Sequence, residues 1–79
     1  MEAINGAHKR ENQKVDYRLT RREAECVKLM AAGFRDVEIS DRLNITFRTV
    51  VAHISNARQK TKSANRSQLI AKSVAAGIV

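Results

Sequence analysis

The chain has 79 residues, of which 43% are hydrophobic and 29% charged, and its formal net charge is +7. This length is enough for one small domain with a compact core. No apolar run approaches the roughly 20 residues of a membrane span, and we expect no signal peptide in Met1 to Arg18. The single cysteine, Cys26, excludes an internal disulfide, and with two histidines it cannot supply four zinc ligands. We therefore expect a cytoplasmic protein that needs no metal or other cofactor.

The charge is unevenly distributed along the chain. Residues 19–43 hold five basic and five acidic residues, whereas residues 44–79 hold six basic residues and no acidic one. A neutral half joined to a basic half indicates a surface directed at a polyanion. A merely soluble basic surface is the plainer alternative. Membrane lipid fits less well, because no Trp- or Phe-rich apolar face opposes these bases.

The N-terminal part of the chain predicts a tail followed by a helix. Residues 1–18 are polar and are predicted to form a flexible tail or linker, with the folded domain at 19–79. Thr20 and Glu23 have the spacing of a capping box, so the first helix should begin there. Gly33 should end it in the left-handed conformation. Cys26 lies in the apolar stripe of this helix and is predicted to be a small core residue.

Three more helices follow, and no strand is predicted. A short second helix fits 36–43, with Asp36 at its positive end and Asn44 as a turn residue. Thr46 should cap a third helix over about 47–60. The apolar positions of the third helix predict its inner face: Phe47, Val50, Ile54, Ala57 and Thr61. A second capping box, Asn65 with Gln68, should begin a fourth helix that ends at Gly77.

A short helix, a tight turn and a longer basic helix are the arrangement of a helix-turn-helix, whose second helix lies in the major groove of DNA. Arg48 is the best candidate for a bidentate contact to guanine, or otherwise for a phosphate contact. Val51 and Ala52 could touch a thymine methyl, and Ser55 could donate to a base or a phosphate. The predicted phosphate donors are Thr46, Thr49 and His53. The predicted sources of salt-sensitive, sequence-blind attraction are Lys60, Lys62 and Arg66.

Plainer interpretations stand beside these. His53 could be an ordinary surface or packing histidine, Arg48 a solvated charge, and Phe47 a core anchor. Ser55, His53 and Asp41 do not form a credible catalytic triad, because the first two share one surface helix with nothing to form an oxyanion hole. We therefore do not expect an enzyme.

Together these segments resemble the LuxR-type helix-turn-helix domain of bacterial transcription regulators. The matching segments are Leu19-Thr20-x-Arg22-Glu23, Ala32-Gly33, Glu38-Ile39, Leu43-x-Ile45-Thr46-x-x-Thr49-Val50-x-x-His53, Asn65-Arg66-Ser67-Gln68 and the run from Ala71-Lys72 to Gly77-Ile78. They cover about three quarters of the chain, in order. The last part looks most like the quorum-sensing branch, which answers acyl-homoserine lactones.

The resemblance implies an all-α, four-helix domain that dimerises largely through its last helix, binds an inverted-repeat operator and contacts RNA polymerase. Carried onto this chain, it makes a dimer interface of Ile70, Ser73, Val74 and Gly77. No small-molecule site is expected in this chain, because 18 polar residues cannot enclose a lipid-like ligand.

Three positions depart from the family pattern. Val51 stands where a lysine or arginine is common, which predicts that one DNA contact is lost or moved. Arg35 stands where a Ser or Thr usually caps the second helix. Thr61 replaces a usual leucine, which should weaken the packing of the third helix on the fourth and predicts modest stability.

The sequence thus predicts a sequence-specific, dimeric DNA-binding transcription regulator. One alternative is a protein-interaction antagonist that dimerises with a full-length LuxR-type regulator. Another is a sigma-factor-like promoter-binding region, although such a region normally lacks the fourth helix. The chain could be an excised C-terminal domain or a free-standing regulator similar to the single-domain spore-coat regulator of the same superfamily.

Overall fold

The computed structural model describes residues 15–79 and confirms the all-α prediction. The described part consists of four helices, which are α1 (Arg21–Ala31), α2 (Asp36–Leu43), α3 (Phe47–Thr61) and α4 (Arg66–Ala75). Helices α1 and α3 each pack against all of the others, whereas α2 and α4 do not pack against each other along their lengths. Most of the predicted tail, residues 1–14, lies outside the described residues, and the domain boundary at residue 18 stays a prediction.

The helices begin where the capping residues predict. In α1 the Thr20 hydroxyl accepts from the Glu23 amide (3.1 Å), and the Glu23 carboxylate accepts from the Thr20 amide (2.9 Å). In α2 the Arg35 side chain has no acceptor atom, so only half of the box forms: the Glu38 carboxylate accepts from the Arg35 amide (2.8 Å). The helix nevertheless starts at Asp36, as predicted.

The start of α4 differs in one detail from the predicted capping box. The Asn65 side chain accepts from the Gln68 amide (2.8 Å), as expected. The Gln68 side chain, however, accepts from the Ala64 amide (2.6 Å) and not from that of Asn65. Because this hydrogen bond extends one residue further back, it holds the loop before α4 in place as well as the first turn of the helix.

All four helices end in the same hydrogen-bonded turn, in which an amide beyond the helix reaches back five residues to a carbonyl of the last turn. The turn needs one residue with positive φ. Gly33 and Gly77 supply it after α1 and α4, with φ of 101° and 77°. Asn44 supplies it after α2 with φ of 57°. These three ends were predicted; Lys62, with φ of 53° after α3, was not.

The core is one apolar cluster to which every helix contributes. Its buried members are Cys26, Val27, Met30, Ile39, Val50, Ile54, Ala57 and Leu69. Cys26 is fully buried, which confirms its predicted place, and burial raises the pKa of its thiol. Phe47 was wrongly predicted to belong to this core: 52% of it is exposed. The inner face of α3 therefore starts one turn later, at Val50.

Thr61 is accommodated better than its replacement of a leucine suggested. It is only 2% exposed, and its hydroxyl donates to the Ala57 carbonyl (2.9 Å). Ser63 Oγ also lies within hydrogen-bond distance of this hydroxyl. Because a buried hydroxyl is costly only when it lacks a partner, Thr61 closes the core without a polar penalty. The predicted modest stability stays a prediction.

One buried ion pair joins the start of α1 to the end of α3. Glu23 is 4% exposed, and its carboxylate accepts from Lys60 Nζ at 2.7 Å. Lys60 Nζ also donates to the Arg18 carbonyl (3.1 Å), so it holds the segment before α1 in place. Burial raises the pKa of Glu23, but the hydrogen bonds from Lys60 and the Thr20 amide outweigh burial and leave that pKa below its usual range.

Acid should therefore weaken the fold through Glu23. Since its pKa is lowered in the folded state, the stabilisation is complete above the ordinary pKa of about 4.3 and is lost as the pH falls through the lower folded value. Glu23→Gln should reduce the free energy of unfolding at pH 7 by about 1.5–3 kcal/mol, because a charged hydrogen bond is lost. The substitution should also make the free energy of unfolding, measured by denaturant titration, depend less on pH between about pH 2 and 5.

Glu38→Gln is the matched control. Glu38 occupies the same position in α2 and also accepts from its capping residue, but its side chain is 43% exposed and its cationic partner is the exposed Arg35, at 3.6 Å, instead of a lysine from another helix. The control should retain most of the acid sensitivity. Equal losses in both variants would show that the buried pair has no special role.

Candidate nucleic-acid interface

Helices α2 and α3 form a helix-turn-helix around a turn of Asn44, Ile45 and Thr46. The left-handed Asn44 reverses the chain, and the Ile45 amide donates to the Ser40 carbonyl (3.1 Å). Ile45 packs its partly buried side chain against the core, which fixes the angle between the helices. At 15 residues, α3 is about 22 Å long. One side of it is buried and the other is free.

The free side of α3 carries the residues that the sequence assigned to DNA reading. Arg48, Val51, Ala52 and Ser55 are all exposed and recur every three or four positions, so they form one stripe. Val51 is 42% exposed although it is apolar. Arg48 forms no ion pair with any described residue. Among residues 15–79 the stripe thus presents one cation without an acidic partner beside small and apolar side chains, which suits close approach to base edges.

The first turn of α3 is built for polar contact. Thr46 caps the helix by accepting from the Thr49 amide (3.1 Å), and the two threonine hydroxyls lie 2.8 Å apart. One hydroxyl of the pair donates to the other, which leaves one hydrogen free to donate outward. His53 is half-buried at the edge of the stripe. The predicted phosphate donors therefore lie on one flank of α3.

Two of the basic residues that were predicted to attract DNA form ion pairs with acidic residues of the same domain. Lys60 is bound to buried Glu23, as described above. One nitrogen of the Arg66 guanidinium contacts both Asp36 oxygens, at 2.7 and 2.6 Å, and links the starts of α2 and α4. The third base of that group, Lys62, forms no ion pair with a described residue. Lys60 and Arg66 thus serve the fold, and their attraction for DNA is reduced by their acidic partners.

Phe47 is a surface residue that the sequence prediction missed. It lies in the first turn of α3, four residues before Val51, and both side chains are exposed. Its position as the first residue of α3 could have indicated this exposure, since the ends of helices often project beyond the core. Phe47 and Val51 together form an apolar patch beside Arg48.

The four residues proposed for a dimer interface do not lie on one surface. Val74 is 57% exposed and Gly77 is exposed, but Ile70 is half-buried against the core. Ser73 was wrongly assigned to this interface, because it is 0% exposed within the single domain. Its Oγ has no partner among the described residues. The exposed strip of α4 instead runs through Ala71, Val74 and Ala75.

Comparison with known proteins identifies the domain. Residues 17–73 match the family model described as bacterial regulatory proteins, luxR family. The chain belongs to the LuxR family. The LuxR family consists of DNA-binding transcription regulators, and the predicted resemblance to it is confirmed.

Three relatives show how much of a longer protein this LuxR-family domain matches. It is 37% identical over 68 residues to the transcriptional activator protein LuxR of Aliivibrio fischeri, covering 86% of this chain and 27% of the relative. It is 38% identical over 72 residues to the transcriptional regulatory protein DegU of Brevibacillus brevis (85% and 30%). It is 38% identical over 61 residues to the quorum sensing-dependent transcriptional regulator VjbR of Brucella ovis (77% and 24%). The chain thus spans about a quarter of the length of these relatives.

Two further features are absent from residues 15–79. None of the helices there is long and apolar enough to cross a membrane. The same residues hold no group of three or more His, Cys, Asp or Glu side chains that could bind a metal ion.

Phe47→Ala tests whether Phe47 belongs to the surface. Truncating a buried Phe typically costs about 3–5 kcal/mol of stability. Since Phe47 is half exposed, we expect the free energy of unfolding to fall by less than about 1.5 kcal/mol. We also expect DNA affinity to fall, because the apolar patch beside Arg48 shrinks. Thermal unfolding and DNA-binding titrations measure the two effects, and a loss of stability as large as that for a core residue would contradict the exposed placement.

Val50→Ala, one turn further along α3, is the comparison variant and should show the larger loss of stability.

Proposed function

We propose that this LuxR-family domain is a sequence-specific reader of double-stranded DNA that regulates transcription as a dimer on an inverted repeat. The observation that carries the proposal is the exposed stripe Arg48, Val51, Ala52 and Ser55 on a helix anchored by its opposite side. Residues 44–79 contain no acidic residue, so no carboxylate from this half of the chain opposes the approach of DNA.

Each residue of the stripe has a distinct role in this proposal. The Arg48 guanidinium presents paired donors that match the O6 and N7 acceptors of guanine. Val51 and Ala52 contact a thymine methyl, and Phe47 extends that apolar surface by one turn. Ser55 donates to a base or a phosphate. Thr46, Thr49 and His53 hold the flanking phosphates and fix the orientation of α3 in the groove.

Dimerisation through α4 is the second part of the proposal. Two copies of the exposed strip Ala71, Val74 and Ala75 can approach closely, because the alanines have small side chains. A twofold dimer places two recognition helices one DNA turn apart, which is why it reads an inverted repeat. Contact with RNA polymerase is the further expectation that the family resemblance supports.

Arg48→Ala tests the base-reading role. If Arg48 reads a guanine, the variant should lose about 1–3 kcal/mol of binding free energy on the preferred site and lose its preference at one base position. The measurement is selection of a preferred duplex from a random pool, followed by titration of selected and random duplexes over a range of salt. A uniform loss on all sequences would make Arg48 a phosphate contact instead.

The wild-type titration tests the whole proposal. A specific regulator should enrich a sequence with twofold symmetry and keep its preference as salt rises. Salt-steep binding without an enriched site would refute specific reading. Dimerisation without any DNA binding would favour the antagonist.

Val74→Glu tests the dimer. Val74 is exposed, so the substitution should leave the monomer folded while it places two like charges at the proposed contact. Sedimentation should show weaker dimerisation on operator DNA than for the wild type. Val37→Glu is a matched control, because Val37 is equally exposed, at 57%, but lies on α2. Unchanged dimers in the Val74 variant would remove α4 from the interface.

A further inference from the structure

The C-terminal end of α3 carries an open concavity of about 300 Å³. Its lining consists only of polar residues: Ser55, Arg58, Gln59, Lys62 and Ser63. Two of them are cations and none is an acid. Ser55 also belongs to the DNA-reading stripe, so the concavity continues that stripe along the helix.

The Arg58 side chain is held in place by a hydrogen bond. A terminal nitrogen donates to the Ala64 carbonyl at 2.7 Å, while Nε is buried and has no partner among the described residues. The Ser63 hydroxyl, in contrast, is taken up by Thr61. The charges of Arg58 and Lys62 therefore supply the attraction at this concavity, with Ser55 and Gln59 as neutral donors.

A helix C-terminus is normally a poor place for an anion, because unpaired carbonyls give it a partial negative charge. Here that charge is offset. Lys72 on α4 donates from Nζ to the carbonyls of Thr61 and Lys62, both at 2.9 Å. A third cation thus lies behind the last turn of α3, and the local potential favours negative charge.

The location of the concavity decides which anion it meets. Lys62 lies 14 residues beyond Arg48, which is about 21 Å along a helix. The major groove is only about 12 Å wide. If α3 crosses the groove with Arg48 at the bases, its last turn therefore lies outside the groove, over the sugar-phosphate backbone.

We propose that the concavity formed by Ser55, Arg58, Gln59 and Lys62 receives a backbone phosphate of the bound duplex, which positions α3 without reading sequence. This inference rests on the proposed function. It distinguishes Lys62 and Arg58 from Lys60 and Arg66, whose charges are paired within the fold.

Lys62→Gly is the informative variant. Lys62 has φ of 53° and ψ of 46°, a conformation that glycine adopts without strain. The variant should therefore unfold at the same or a higher temperature than the wild type, while it loses one cation of the concavity. Replacing Arg58 is less clean, because Arg58 also holds the Ala64 carbonyl. Lys28→Gln, on an exposed position of α1, removes the same charge from another surface.

The measurement is the affinity for selected and random duplexes as a function of NaCl. Lys62→Gly should weaken binding about three- to tenfold at 0.15 M salt, by the same factor on both duplexes. It should also reduce the slope of log affinity against log salt by about 0.9, the value for one lost phosphate contact. Lys28→Gln should change affinity less than twofold.

Other results would overturn the inference. Equal behaviour of Lys62→Gly and Lys28→Gln, with wild-type binding intact, would remove the phosphate site and leave the proposed function standing. A loss confined to the selected duplex would make Lys62 a base-reading residue. Inorganic phosphate that competes with DNA more strongly than NaCl of equal ionic strength would assign the concavity to free phosphate. If the wild type binds no duplex, the proposed function fails and this inference fails with it.

Discussion

The fold depends on one helix that is buried along one side and left bare along the other. Val50, Ile54, Ala57 and Thr61 anchor α3 against the other three helices. Because these residues recur every three or four positions, the opposite side of α3 is automatically free and straight. The side that we propose reads DNA need not contribute to stability, so it can hold small, apolar and charged residues side by side. A change on that side alters binding first and folding second.

Much of this architecture follows from local sequence signals. The bounds of α2, the caps at Thr20, Thr46 and Asn65, and the glycine ends are set by interactions within a few residues, so they could be predicted from the chain alone. The predicted stripe of α3 likewise follows from helical period. Two errors share one cause. The helical spacing of residues in the sequence shows which side of a helix a residue is on, but it does not show whether another part of the domain covers that side. Phe47 has the period of a core residue and projects past the core, whereas Ser73 was taken for surface and is enclosed.

The roles of the basic residues could not be predicted for a different reason. A cation at position 60 or 66 looks free in the sequence, because its acidic partner lies 37 or 30 residues away. Only the packing of α1 against α3, and of α2 and α4 against both of these helices, brings these partners together. Residues 44–79 contain six basic residues. Lys60 and Arg66 pair with acidic residues. Arg58 and Lys72 donate to backbone carbonyls. The number of basic residues therefore overstates the number of cations that are available to DNA.

The two long-range ion pairs also explain how a small core holds four helices. Glu23 and Asp36 each lie in the first turn of a helix, where a negative charge is stabilised by the partial positive charge of the helix end. Each then binds a cation from the basic half of the chain. The neutral half supplies the acids and the basic half supplies the cations, so the pairs join the two halves at the two helix starts. Residues 44–79 thereby give up two charges to the fold, while Arg48 and Lys62 keep theirs at the two ends of α3. The uneven charge along the sequence thus produces two ion pairs between the halves and, among residues 15–79, a surface of α3 whose cations Arg48 and Lys62 have no acidic partner.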